Sequence, residues 1–368
     1  MQGTKAIRVS QIVVALQILF VTSFIGVSLF YSFFNSTTDS EPEQYDLVIN
    51  HGRVIDPETQ LDAVKHIGIR DGSIVAISDQ PLTSDIIIDA TELVVAPGFI
   101  DAHSHSPTVL GQHFNVLDGI TTQLDLEAGA FPVGFYGEHL RAGAAINYGS
   151  SVGHFAIRIK VLEGVDQPYL FAGEKAVVMG SPAWLQEATP EQIEQMRLLV
   201  HKGLDEGGLG IGVLLDYMTE AVSDAELAML FEVAAAREVP IYVHVRRGYT
   251  GDPAGLIEVI ELAKSTQAAL YVCHINHNAM GRIDDWLAMI DEANEAGANI
   301  TTETLAYAAG GTSIGADVFR RRDWQAIFDI SYEDVQWVST GEWLTEESWE
   351  KYSKEQPAGA GDHHYVKE

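Results

Sequence analysis

Hydrophobic and polar residues alternate along YDLVINHGRVID (45–56), VKHIGIRDGSIVAI (64–77) and DIIIDATELVVAP (85–97). A period of two marks strands that turn one face to a core. Asp71-Gly72 stands inside the second stretch, between two apolar alternations, where a two-residue turn would close a hairpin. These segments predict a small β-sandwich module over residues 45–97. From Gly98 the pattern changes. Short apolar runs recur at Phe99–His105, Thr121–Glu127, Ser151–Ile157, Leu209–Leu215, Ile241–Val245, Leu270–His274 and Asn299–Glu303. Helix start signals lie between them. Thr189-Pro190-Glu191-Gln192 offers a cap, a first-turn proline and an acidic first turn, and Ser223-Asp224-Ala225-Glu226 reads as a capping box. Strands alternating with helices imply a parallel sheet with right-handed crossovers. The fold class expected over residues 98–368 is therefore α/β, a (β/α)8 barrel without its strand eight. The segment after Glu303 shows no eighth strand; its Trp324, Trp337, Trp343 and Trp349, set among acids, read as helices and loop.

Residues 12–34 (IVVALQILFVTSFIGVSLFYSFF) follow neither pattern, and nothing between Arg8 and Asp39 is charged. The run is long enough to cross a bilayer as a helix, which takes ~20 residues. Lys5 and Arg8 precede it, and Glu41, Glu43 and Asp46 follow it. The positive-inside rule then leaves the N-terminus in the cytoplasm and the rest outside. No small-residue cleavage site follows the run. The expectation is a transmembrane signal anchor over residues 1–35 and a linker over 36–44, with the folded part periplasmic or extracellular. A cleaved signal peptide, giving a secreted protein, is the second reading.

The 368 residues carry a formal net charge of −30, and every one of the 52 acids lies after residue 38. Phosphate binding needs clustered Lys and Arg, so this balance argues against a nucleic-acid partner. An acidic surface by itself names no substrate. Cys273 is the only cysteine, so no intrachain disulfide can form.

Candidate chemistry gathers where the runs end. In APGFIDAHSH (96–105), strand geometry sends residues i and i+2 to one face, so Asp101, His103 and His105 point the same way. Two imidazoles ~6–7 Å apart along a strand can converge on one cation. Alone, such a pair is more often a polar finish to a strand than a ligand pair. Glu127, however, ends the second run, His244 comes at the end of the fifth, and His274 ends the sixth. The C-terminal end of a parallel barrel strand is where catalytic groups collect. Zinc takes imidazole nitrogen and carboxylate oxygen in this ratio, and a central carboxylate could bridge two ions.

GFIDAHSH (98–105) resembles the strand-one motif of the amidohydrolase superfamily, and the module before it resembles that superfamily's composite β-sandwich. DGITTQLDLE (118–127), SVGHFAIR (151–158), EGGLGIG (206–212), TLAY (304–307) and AGGT (309–312) are similar to the N-acyl-D-amino-acid deacylases, especially a D-glutamate-deacylase-like branch. The resemblance spans roughly residues 45–339. It implies a metal-dependent hydrolase barrel that holds one or two Zn2+ and hydrolyses a small linear amide, most specifically an N-acyl-D-amino acid. It makes His103 and His105 ligands of one metal, His244 and His274 ligands of the principal zinc, and Glu127 the bridging ligand, where relatives use a cysteine or a carboxylated lysine. Tyr307 becomes the donor to the oxyanion. His154 would touch substrate or support the ligands, and Asn276 stands where some deacylases place a lysine that meets the substrate carboxylate. Arg246 is the expected partner of that carboxylate, because alternation puts it on the face of His244; a rim salt bridge is the competing reading, and Arg247 and Arg158 are weaker candidates. The superfamily takes its general base, an aspartate, from the end of strand eight, past the last residue here, and Asp362 is a poor substitute. Two further readings stand beside the deacylase: a cyclic amidohydrolase of hydantoinase or dihydroorotase type, and a truncated homologue that only binds metal.

Overall fold

Local signals build the first strands. β1 (Leu47–Asp56) pairs antiparallel with β2 (Leu61–Arg70), which turns into β3 (Ser73–Ser78) through Asp71-Gly72. Those two residues have φ of 51° and 72°, the positive values that a primed two-residue turn requires. β4 (Ile87–Asp89) and β5 (Val94–Val95) run parallel to β1 along its other edge. Among the described residues the module is thus one five-stranded sheet, not the two facing sheets of the expected sandwich. Tyr45, Val48, Val54 and Ile67 are buried, whereas Ile74, Ile77, Ile87 and Val94 are exposed.

The computed structural model of the chain describes residues 44–105, 107–170, 181–305, 309–321, 323–355 and 363–367. The chain divides into two compact units between Pro97 and Gly98. Residues 12–34, read above as a membrane span, lie outside the described residues, as does most of the linker. Among the described residues no helix is long and apolar enough to cross a membrane.

The second unit is built on a curled parallel half-barrel. Its strands are β6 (Phe99–Asp101), β7 (Ile120–Ala130), β8 (Asn147–Gly153), β9 (Ile211–Leu214), β10 (Ile241–His244), β11 (Leu270–Val272) and β12 (Ile300–Thr302), and each lies beside its neighbour in sequence. Among the described residues β6 and β12, the two ends of this sheet, do not pair. β9 and β10 are buried at every position, which is why they read as continuous apolar runs. The helices Pro190–Asp205, Asp224–Ala236, Ala254–Thr266 and Ile283–Glu295 pack on the sheet through Met196, Leu230, Leu256 and Trp286. Thr189 caps its helix in a full box with Gln192. Ser223 caps the helix Asp224–Ala236, but Glu226 does not complete that box: its carboxylate turns inward to a buried ion pair.

Two other departures from the sequence pattern bear on the site. The run Ser151–Ile157 is not one strand. β8 ends at Gly153 and a helix starts at His154. Residues 151 to 159 are all buried, so no alternation was available to tell strand from helix. After β12 there is a small antiparallel sheet as well as helices. Its strands, in the order β13-β16-β14-β15, are β13 (Ala309–Ser313), β14 (Val335–Trp337), β15 (Glu342–Trp343) and β16 (His363–Lys367). They are too short, and β13 too rich in glycine, to carry a readable period. A separate core fills this region, with Trp324 stacked on Trp349 at 4.5 Å and Trp337 on Tyr352 at 4.1 Å.

Candidate metal centre

Glu127 lies inside β7, where burial and a close backbone approach hold it. Gly212 of β9 passes so near that a Cβ there would lie 2.3 Å from the Glu127 carbonyl oxygen. The carboxylate has one oxygen for each histidine pair. Oε1 lies 2.8 Å from His244 Nδ1 and 2.7 Å from His274 Nε2. Oε2 lies 3.1 Å from His103 Nε2 and 3.2 Å from His105 Nε2. Within each pair the nitrogens nearly touch, at 3.1 Å for His244 and His274 and 3.2 Å for His103 and His105. His274 reaches its place from a left-handed backbone, φ 32° and ψ 61°, which swings the chain out of β11. Such a conformation costs a Cβ-bearing residue on the order of 1–3 kcal/mol, and strain of this kind gathers at functional sites.

Acidic and amide groups face several of the outer ring nitrogens. His103 Nδ1 makes a short contact with Glu303, and His105 Nδ1 lies 3.1 Å from Asp125. His274 Nδ1 lies 3.3 Å from the Asn278 side-chain amide. Asp216 Oδ2 is 3.8 Å from His244 Nε2, beyond hydrogen-bond reach. Partners of this kind fix the tautomer and aim the inner nitrogen. Sequence reasoning missed Asp125, Asp216 and Glu303. Asp125 was visible, since it shares a strand face with Glu127, and Glu303 closes the seventh apolar run.

The donor set fits a divalent ion. Two nitrogens bound to one tetrahedral zinc at ~2.0–2.1 Å lie ~3.3 Å apart, close to the spacing within each pair. Burial opposes charge on Glu127, yet His103, His244 and His274 together hold its carboxyl well below the usual range. Burial also opposes a charge on His103, but Glu127 and Glu303 overcome it and raise that ring well above its ordinary value. For His274, burial and the neighbouring His244 push the ring well below its ordinary value, so it presents as a neutral ligand. A carboxylate with paired imidazoles on each oxygen can hold one ion or two.

The centre opens into a cavity of about 1250 Å³. All five expected ligands line it, and so does Asn276, whose Oδ1 accepts from the backbone N–H of Leu305. His154 does not line it. Its ring is fully buried, with Nε2 2.6 Å from Glu226 Oε1, in a closed cluster with Arg158. Arg246 does not line it either. Its guanidinium is bound to Glu258 and to the carbonyls of Thr219 and Val222. Arg247, the weaker candidate, does face the cavity. Tyr307 lies outside the described residues.

No family model matches the chain. It is 30% identical over 294 residues to an N-acyl-D-glutamate deacylase of Alcaligenes xylosoxydans xylosoxydans, covering 73% of this chain and 58% of that protein. It is 25% identical over 319 residues to a D-aminoacylase of the same organism, covering 77% of this chain and 61% of that one. These likenesses support membership of the amidohydrolase superfamily, on its D-aminoacylase branch. It spans about three-fifths of the length of these curated relatives. The fold agrees with this membership. The crystal structure of an N-acyl-D-glutamate deacylase from Bordetella bronchiseptica, complexed with zinc and a phosphonate inhibitor, superposes with a TM-score of 0.65 at 23% identity, covering 88% of this chain and 72% of that one.

Proposed function

We propose that the chain is a zinc-dependent amidohydrolase that removes the acyl group from an N-acyl-D-amino acid, with D-glutamate-like substrates first. The observation that carries this reading is Glu127 between two histidine pairs, one carboxylate oxygen to each pair, at the floor of an open cavity. His103, His105, His244 and His274 with Glu127 would hold one or two zinc ions. A divalent ion held there would polarise the amide carbonyl and make water acidic enough to attack at neutral pH. Glu303 and Asp125 keep His103 and His105 turned inward; the family resemblance assigns Tyr307, outside the described residues, as donor to the oxygen that gains charge. We place the folded part outside the cytoplasm, anchored through residues 12–34; the support is the length of that apolar run and the bases before it.

The test is hydrolysis by the full chain supplied with zinc, on N-acetyl-D-glutamate, its L-enantiomer and a hydantoin. Release of D-glutamate, lost in Glu127→Ala together with bound zinc, supports the reading. Turnover of the hydantoin alone would replace it with the cyclic amidohydrolase. Zinc binding with no turnover of any substrate would leave a metal-binding homologue. Membrane fractionation of the full chain tests the anchor, which recovery in the soluble fraction would sink.

A further inference from the structure

We propose that Cys273, with His103 and Glu303, forms a second, thiolate-containing site for a soft divalent ion, beside the Glu127 centre and in competition with it for His103. The three residues follow three different strands, β6, β11 and β12. Yet the Cys273 sulfur, a Glu303 oxygen and a ring nitrogen of His103 all lie within 4.8 Å of one another. Donors that share one tetrahedral ion stand ~3.3–3.6 Å apart, so about an ångström of side-chain movement closes the set. The Glu127 centre leaves this thiol unused. His103 Nε2 faces Glu127 at 3.1 Å, whereas Nδ1 is on the Glu303 side. One ring therefore borders two donor sets.

Cys273 reads first as packing, since it is 1% exposed and clusters with Leu126 and Tyr242. Its polar surroundings go further than packing needs. Glu127, Glu303 and Asp125 all act on the thiol through space. His103 and Glu303 line the cavity, which gives an ion its way in. Acids crowded around a buried thiol oppose its ionisation, and a divalent cation inverts that balance. A thiolate also selects softer ions than the imidazoles and carboxylate of the Glu127 centre do. On binding, the thiol proton leaves to solvent and the ring proton moves from Nδ1 to Nε2, where Glu127 can accept its hydrogen bond. His103 is then lost to the Glu127 centre. Such an ion would inhibit turnover; that consequence, unlike the site itself, rests on the deacylase reading.

Cys273 is the only cysteine in the chain, so a thiolate-to-metal absorption band reports on it alone. The experiment titrates the metal-depleted full chain with Cd2+. It reads the ultraviolet charge-transfer band and, by equilibrium dialysis, the ions bound. The band should grow in the parent and vanish in Cys273→Ser. Glu303→Gln and His103→Ala should each need about 10–100-fold more Cd2+ to raise it, the size of losing one group that supports a metal site. His244→Ala should keep it, since that ring serves only the Glu127 centre. No band in the parent, whether or not Cd2+ binds elsewhere, overturns the proposal. So does a band indifferent to both Glu303→Gln and His103→Ala. The first of these results needs no variant, so it decides even where a substituted chain fails to fold. Turnover of N-acetyl-D-glutamate by the zinc-loaded chain, with no thiolate band under Cd2+, sinks this proposal alone. A band with no turnover of any amide sinks the deacylase reading alone.

Discussion

Removing the charge of Glu303 while keeping its shape isolates what the outer carboxylates do. One Glu303 oxygen contacts His103 Nδ1 and accepts from the His274 backbone N–H at 3.3 Å; the other accepts from the Tyr271 hydroxyl at 3.2 Å. Glu303→Gln preserves the volume and an acceptor for Tyr271. It removes the negative charge that holds His103 Nδ1 protonated and Nε2 turned toward Glu127. Losing such a partner weakens a metal site by about 10–100-fold, or about 1.4–2.7 kcal/mol. Asp216→Asn provides the internal control. Its oxygen stands 3.8 Å from His244, too far for the same hydrogen bond, so its effect on the metal should be much the smaller. The assay is zinc titration of the metal-depleted full chain against a chromophoric chelator. The position served by His103 should weaken and the one served by His244 should hold. Unchanged affinity in Glu303→Gln, or equal damage from Asp216→Asn, would refute the claim that a short carboxylate contact orients His103.

The buried cluster behind the sheet gives two further expectations. Arg158 and Glu226 are fully buried, and Arg158 also donates to the carbonyls of Ala183 and Gln186. Glu226→Gln strands that guanidinium and should cost about 3–5 kcal/mol in urea unfolding, whereas Arg158→Met combined with Glu226→Leu should recover most of it. A cost under about 1 kcal/mol for Glu226→Gln would mean that the pair is not sealed from water. Acid should destabilise the chain through the same cluster. Burial holds the His154 ring below its ordinary value, so the folded ring is neutral while an unfolded chain takes a proton below about pH 6.5. Glu226 is held below the usual carboxylate range, against burial, by the His154 hydrogen bond and the nearby Arg158 charge. Both groups have depressed folded values, so their contribution is complete above the unfolded pKa and is lost as pH falls through the folded one. Urea midpoints from pH 7.5 to 5 should therefore fall more steeply for the parent than for His154→Gln; parallel slopes would show that the ring is not held neutral.

The end of the hydrogen-bonded ladder accounts for where Glu127 and His244 point and for why Arg246 and His154 lie away from the cavity. Glu127 sits inside β7 and His244 is the last residue of β10, so the two-residue period governs where they point. His103 and His105 follow β6 by two and four residues, yet they still converge, because Glu127, Asp125 and Glu303 draw both rings to one spot. Arg246 had the right parity and the wrong destination. β10 stops at His244, the period stops with it, and the chain then turns so that Arg246 reaches Glu258 while its neighbour faces the cavity. His154 failed for the same reason, since β8 ends one residue before it and the helix that starts there carries the ring into the core. Asp216 comes just after β9, in a 3-10 turn with no period to read. Among the four histidines only His244 ends its strand; His103, His105 and His274 lie just beyond theirs, where carboxylate contacts rather than the two-residue period aim the rings. A metal centre of this kind is therefore legible from alternation and strand-end chemistry. The loops beyond the strands are not, and there Arg246 turns to Glu258 while Arg247 lines the cavity.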